Sequence, residues 1–163
     1  MVMMRAPVSS TDPLGRARMV DVTAKQPTVR AATARGFVRC APEVVAALRD
    51  GTVPKGDVLA VARIAGIQAA KQTPALLPLA HVIGVHGATV DLAILDTGVE
   101  IEATVRTADR TGVEMEALTA VSVAALAIVD MVKGMDKSTS IESVRITAKE
   151  GGRSGSWTRP DEK

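Results

Sequence analysis

From Ala117 to Val129 the chain reads ALTAVSVAALAIV, thirteen residues without a charge, and ionisable residues stand at both ends of that stretch. Glu114 and Glu116 precede it within Gly112-Val-Glu-Met-Glu-Ala117, and Asp130, Lys133 and Lys137 follow it. Thirteen residues are too few to cross a bilayer, which takes about 20. The stretch therefore reads as the buried helix of a soluble protein, running from about Val113 to Met135, and no membrane span is expected. A helix that is apolar on every side has to be covered by the rest of the chain. Burial accounts for its middle. It does not account for two acids at the entrance and an Asp–Lys pair at i, i+3 at the exit, so both ends ask for a chemical explanation.

The 163 residues suit one domain with a single core. Apolar residues make up 47% of the chain, yet Phe37 and Trp157 are the only aromatics, so the core has to be built from Val, Leu, Ile, Met and Ala. Small side chains bury little area each, and a homo-oligomer is expected to supply the remaining burial. The net charge of +2 comes from interspersed acids and bases. With no basic run interleaved with aromatics, nucleic acid is not an expected partner. The single cysteine, Cys40, excludes an intrachain disulfide and a CxxC pair, and reads as a small buried hydrophobe. Arg5 is followed by Ala6-Pro7-Val8-Ser9-Ser10-Thr11, which is no signal-peptide core, so the cytoplasm is the expected compartment.

Residues 1–18 read as a flexible N-terminal arm, 19–157 as one catalytic domain and 158–163 as a polar tail. Within the domain, Thr28 to Cys40 reads as a strand. Pro42-Glu43 opens a helix that Gly51 stops. Asp57 can cap a second helix with Leu59, Ala62, Ile64, Ala65 and Ala69 at helical spacing, ended near Lys71 by Thr73-Pro74. Thr89–Leu95 and Val99–Val105 alternate as two strands around the hairpin Asp96-Thr97-Gly98, their acids Asp91, Glu100 and Glu102 marking a solvated face. Ser143–Lys149 is a last strand before the glycine-rich loop Gly151–Gly155. Strand, helices, strand, strand, helix, strand is the order of an α+β, ferredoxin-like split βαβ fold with one extra helix. The sheet should be antiparallel or mixed and covered by helices on one face.

The ionisable residues that solvent does not explain are Lys55, Lys71, His81, Glu114, Glu116, Asp130, Lys133 and Lys149. Each taken singly also reads as an ordinary surface group. Several sit in segments that resemble one known family: Met19-Val-Asp-Val-Thr-Ala-Lys25, Lys55-Gly-Asp-Val-Leu-Ala60, Ala62-Arg-Ile-Ala-Gly-Ile-Gln-Ala-Ala-Lys71, Thr111-Gly-Val-Glu-Met-Glu-Ala-Leu-Thr-Ala120 and Gly151-Gly-Arg-Ser-Gly155. They resemble the MoaC family, the cyclic pyranopterin monophosphate synthases of molybdenum-cofactor biosynthesis, over about Met19 to Trp157.

The resemblance implies a ferredoxin-like fold, a hexamer built as a trimer of dimers, and a functional link to the radical enzyme that makes the substrate. It implies conversion of 3′,8-cyclo-7,8-dihydro-GTP to cyclic pyranopterin monophosphate with release of pyrophosphate. Residue by residue, it implies catalytic roles for Lys55, Asp130 and Lys133. It implies substrate binding by Leu79, Ala80 and His81, by Glu114, Met115 and Glu116, and by Lys149, with Lys25 and Arg30 as further basic candidates. Such chemistry suits these residue types, because a triphosphate needs fixed cations and ring remodelling needs an acid and a base. No resident cofactor or metal is implied, and Mg²⁺ is expected only as the companion of the triphosphate. His81 and His86 lack the neighbouring acid of a helical zinc site.

The chain departs from the family pattern at Pro78-Leu79-Ala80-His81-Val82, where Pro-Leu-Cys-His-Pro is usual, and it carries Val129 in place of an aromatic and Val132 in place of cysteine. Glu116 and Asp130, fourteen residues apart, would lie roughly 21 Å apart along one helix. One compact site is then expected to take Glu116 from one chain and Asp130 with Lys133 from another. Two other readings stay open: a paralogue that binds the ligand without turnover, and a non-catalytic ferredoxin-like binding domain.

Overall fold

The computed structural model describes residues 13–162. Residues 1–12 of the arm expected at 1–18, and Lys163, lie outside the described residues. β1 is Thr28–Arg39, α1 Pro42–Asp50, α2 Val58–Leu76, β2 Gly87–Leu95, β3 Gly98–Asp109, α3 Glu114–Val132, β4 Ser140–Glu150 and β5 Trp157–Thr158. The strands form one sheet in the order β2-β3-β1-β4-β5. Every neighbouring pair is antiparallel. This is the α+β, ferredoxin-like arrangement expected from the element order, with α1 as the extra helix.

Alternation along the strands sorts the two faces. Ala32, Ala34 and Val38 of β1 pair with Val105, Ala103 and Val99 of β3, and all six are buried. The residues between them, Thr33, Arg35 and Phe37, pair with Thr104, Glu102 and Glu100 on the opposite face. There Arg35 takes up both acids, Nε at 2.7 Å from Glu102 and Nη2 at 3.7 Å from Glu100. The solvated face expected for these acids is thus an ion-paired one.

α3 lies across β1, β3 and β4, and α2 packs beside it. Glycine sets how near the layers come. A Cβ at Gly36 would meet Val121 Cγ1 at 2.7 Å, and one at Gly66 would meet the Ala120 carbonyl at 2.9 Å. The core that results is Val, Ile and Ala, with Val121, Ala124, Ala125 and Ile128 of α3 fully covered. Full burial of a Val or Ile contributes about 1.5–3 kcal/mol. Taken whole, α3 is longer than its uncharged middle: its mean hydropathy over 18 residues is 1.8, and half of that window is buried inside the fold. Length and composition alone would let it span a bilayer. In the fold its buried side is the core.

One element differs from expectation. α2 continues through Pro74 to Leu76 instead of ending near Lys71. Pro74 cannot donate to the carbonyl of Ala70, but the Thr73 hydroxyl donates to that oxygen at 3.1 Å, so the helix loses little by continuing. Of the polar tail expected at 158–163, the described residues 158–162 lie against the sheet. Thr158 pairs with Ala148, Arg159 donates through N to Thr147 O at 2.8 Å and through Nε to Ile146 O at 2.7 Å, and Glu162 reaches Arg145.

Candidate active site

The exit of α3 gathers the first cluster. Asp130 sits in the last turn of the helix, where a negative charge is unfavourable beside the carbonyl end of the helix dipole. Two lysines compensate. Lys133 Nζ lies 2.9 Å from Asp130 Oδ1, and Lys55 Nζ lies 3.5 Å from the same oxygen. Lys55 also donates to the Asp130 backbone carbonyl at 3.0 Å, covering one of the acceptors that a helix end leaves open. Lys55 reaches there because α1 ends at Gly51 in a left-handed conformation and α2 starts at Asp57, whose carboxylate accepts from Ala60 N. The hydrogen bond and charge of Lys133, with the charge of Lys55, hold the Asp130 carboxyl below its ordinary range. All three side chains are half-exposed, a charged trio open to an incoming ligand.

The entrance of α3 gathers the second. Val113 cannot cap the helix with its side chain, and Glu114 and Glu116 occupy its first turn, where acids suit the dipole. Glu116 is only 3% exposed. Burial pushes its carboxyl up, Glu114 adds to the rise, and its own backbone N–H and His81 oppose it. A cavity of about 380 Å³ is lined by Leu79, Ala80 and His81 on one side and by Glu114, Met115 and Glu116 on the other. Both segments expected to bind substrate therefore line one hollow. His81 Nε2 lies 2.5 Å from the Val20 carbonyl, which fixes the ring despite the Val82 that follows it in place of proline. Val82 itself points out, 86% exposed.

Cations crowd the same end. Burial, then the charges of Arg30 and Arg153, lowers the Lys25 ammonium from its ordinary value. The loop after β4 turns through Gly151 and Gly152 at φ +84° and +77°, a region open to glycine at little cost. It presses so close to β1 that a Cβ at Gly152 would lie 2.5 Å from Arg30 Nη1. Across this loop the Lys149 ammonium donates to the Ser154 hydroxyl. Arg110 Nε donates to the Lys25 carbonyl at 3.0 Å and lines a second hollow with His81 and the Val20–Thr23 segment.

Of the residues expected in the site, the structure brings Lys55, Asp130 and Lys133 together at one end of α3. It brings Leu79, Ala80, His81, Glu114, Met115 and Glu116 together at the other, with Lys25, Arg30 and Lys149 around the loop there. It does not bring the two groups together within one chain, since Glu116 and Asp130 stand near opposite ends of α3, roughly 21 Å apart at 1.5 Å per residue. Lys71 stands exposed on α2, and His86 is exposed just before β2. Cys40 is buried, its thiol pushed up to about 11 by burial and by Asp136. Arg110 and Arg153 were not singled out from the sequence. Their signal was position: Arg110 immediately precedes the Thr111–Ala120 segment, and Arg153 lies inside the glycine loop. Among the described residues no three His, Cys, Asp or Glu side chains converge where a metal could sit.

Residues 19–152 match the MoaC family. The chain belongs to that family. The match spans both clusters at the ends of α3. Cyclic pyranopterin monophosphate synthase of Streptomyces coelicolor is 62% identical over 148 residues, covering 91% of this chain and 87% of that protein. The enzyme of the same name from a Nocardioides species is 56% identical over 156 residues, covering 94% and 96%. Cyclic pyranopterin monophosphate synthase 2 of Mycobacterium tuberculosis is 53% identical over 152 residues, covering 93% and 91%. Lys55, Asp130 and Lys133, the residues expected to be catalytic, all lie within the matched span and meet at the exit of α3.

Proposed function

We propose that the protein is a cyclic pyranopterin monophosphate synthase, a phosphorus–oxygen lyase that converts 3′,8-cyclo-7,8-dihydro-GTP to cyclic pyranopterin monophosphate and pyrophosphate. The observation that carries the reading is the Lys55–Asp130–Lys133 trio in a chain whose relatives bear that name over nine-tenths of its length. Remodelling the ring system moves protons between carbon and nitrogen. A carboxylate held between two ammonium groups at 2.9 and 3.5 Å offers an acceptor and donors within one small volume. Closing the cyclic phosphate joins a ribose-derived hydroxyl oxygen to the α-phosphorus, breaks the bond to pyrophosphate and releases the hydroxyl proton. Negative charge builds on the leaving group, which the cations Lys25, Arg30 and Lys149 are set to offset. His81, Leu79, Ala80, Glu114, Met115 and Glu116 form the hollow that holds the organic part of the substrate. Any Mg²⁺ would arrive as the companion of the triphosphate.

Because α3 holds the two clusters apart, a complete site joins the entrance cluster of one chain to the exit trio of a second. The assembly we propose is a hexamer, a trimer of dimers. Exposed Val61 and Ile64 on α2 and Leu126 on α3 support association through this layer. The protein works in the cytoplasm, downstream of the radical enzyme that makes its substrate. Ala80 and Val82, where the family usually carries cysteine and proline, favour one second reading, a relative that binds without turnover. Incubation with 3′,8-cyclo-7,8-dihydro-GTP should yield the pterin and stoichiometric pyrophosphate. Lys55→Ala and Lys133→Ala should each lower turnover at least about 10²-fold with unfolding midpoints near that of the unchanged protein. Absence of both products overturns the reading, and near-normal turnover in both variants reduces the lysines to surface charges.

A further inference from the structure

Residues 157–162 return to the face of the sheet opposite the helices. β5 is two residues long, pairing Trp157 with Lys149 and Thr158 with Ala148. A two-residue edge strand has too few ladder bonds to hold a hairpin closed by itself. Beyond it, Arg159 bonds the Thr147 and Ile146 carbonyls, and Glu162 enters a pair of guanidinium groups. Arg145 Nε donates to Glu162 Oε1 at 2.6 Å, and Arg35 Nη1 lies 3.5 Å from Glu162 Oε2. The Glu162 side chain is 14% exposed, less open than the other carboxylates paired on that face, and Arg35 is itself fixed to β3 by Glu100 and Glu102.

The hairpin that this clasp closes carries the glycine loop. Lys149 is its last paired residue before the turn, Ser154 accepts from Lys149 across it, and Arg153 stands between them close enough to lower the Lys25 ammonium. We infer that Glu162 is a positioning residue, clamping the C-terminal segment to β4 so that Lys149 and Arg153 are held ready for the phosphate chain of the substrate. This rests on the proposed synthase reading for the identity of the ligand, while the clasp rests on the contacts alone. Glu162 touches no substrate. It acts through the order of the loop, so its loss should weaken ground-state binding and leave the chemical step intact.

Trp157 is the only tryptophan of the chain, and Arg159 lies over its ring at 5.6 Å, so fluorescence reports the docking directly. In the full-length protein, Glu162→Ala should shift the Trp157 emission to longer wavelength and speed tryptic cleavage at Arg153. It should raise KM roughly tenfold with kcat within about twofold of the unchanged protein. Glu162→Asp, which keeps the charge, should recover part of both effects. Unchanged emission and cleavage, an unchanged KM, or a fall in kcat as large as the rise in KM would each overturn the clasp. Calorimetric binding of inorganic pyrophosphate keeps the two readings separable. If the unchanged protein forms no product, the synthase reading fails. Weaker pyrophosphate binding by Glu162→Ala would then still support the clasp, and equal binding would overturn it.

Discussion

Glu116 carries its acid at the most enclosed point of the entrance cluster, and burial raises its carboxyl above the ordinary value of a glutamate, about 4.3. A raised carboxyl contributes its stability in full at low pH, where it is protonated in both states, and loses it as pH rises through the folded value. Glu116→Gln removes that titration. Relative to the variant, the unchanged protein should lose stability as pH rises from about 4 toward neutrality, then run parallel to it above the folded value. Denaturant midpoints across that window check this, and a difference of opposite sign contradicts the assignment of burial as the dominant cause. Asp130 is the reverse case, held low by Lys133 and Lys55, so it stays ionised throughout that window. Half of this contrast was legible beforehand. The i, i+3 spacing of Asp130 and Lys133 announced their pairing, and Glu116 opened an apolar helix. That Lys55, 75 residues earlier in the chain, caps the same helix turn has no local sign, because it depends on where the turn between α1 and α2 lands.

Elements with strong periodicity or clear punctuation were read to within a few residues: β1, α1 with Pro42 and Gly51, the β2–β3 hairpin and α3. The overrun of α2 past Pro74 was not, since proline normally ends a helix and the Thr73 hydroxyl that covers the Ala70 carbonyl is a tertiary-scale detail. β5 was missed because two residues carry no period. The closeness of α2 to α3 was also hidden, although Gly66 stood in plain view in mid-helix, where glycine is costly. Contact explains it. Gly66→Ala would put a methyl group 2.9 Å from the Ala120 carbonyl and 3.3 Å from the Ala124 Cβ, against backbone that cannot swing aside. Despite the better helix propensity of alanine, the variant should be destabilised by about 1–3 kcal/mol, read as a lower denaturant midpoint. A midpoint equal to or above that of the unchanged protein would mean the helices can part at no cost.

For the whole molecule, α3 is both the centre of the core and the spacer of the chemistry. It buries Val121, Ala124 and Ile128 in the core while holding a cluster of ionisable groups at each end. The account therefore stands on a site completed between chains, and subunit mixing addresses that most directly. Glu116→Ala and Asp130→Ala should each be nearly inactive alone. After verified subunit exchange of equal amounts, half of the pairs are mixed, and each mixed pair holds one intact site and one doubly defective site. Activity should return to about a quarter of that of the unchanged protein if pairing is random. If both residues served one site from a single chain, every site would retain a defect. Full exchange with no recovery would contradict the shared site.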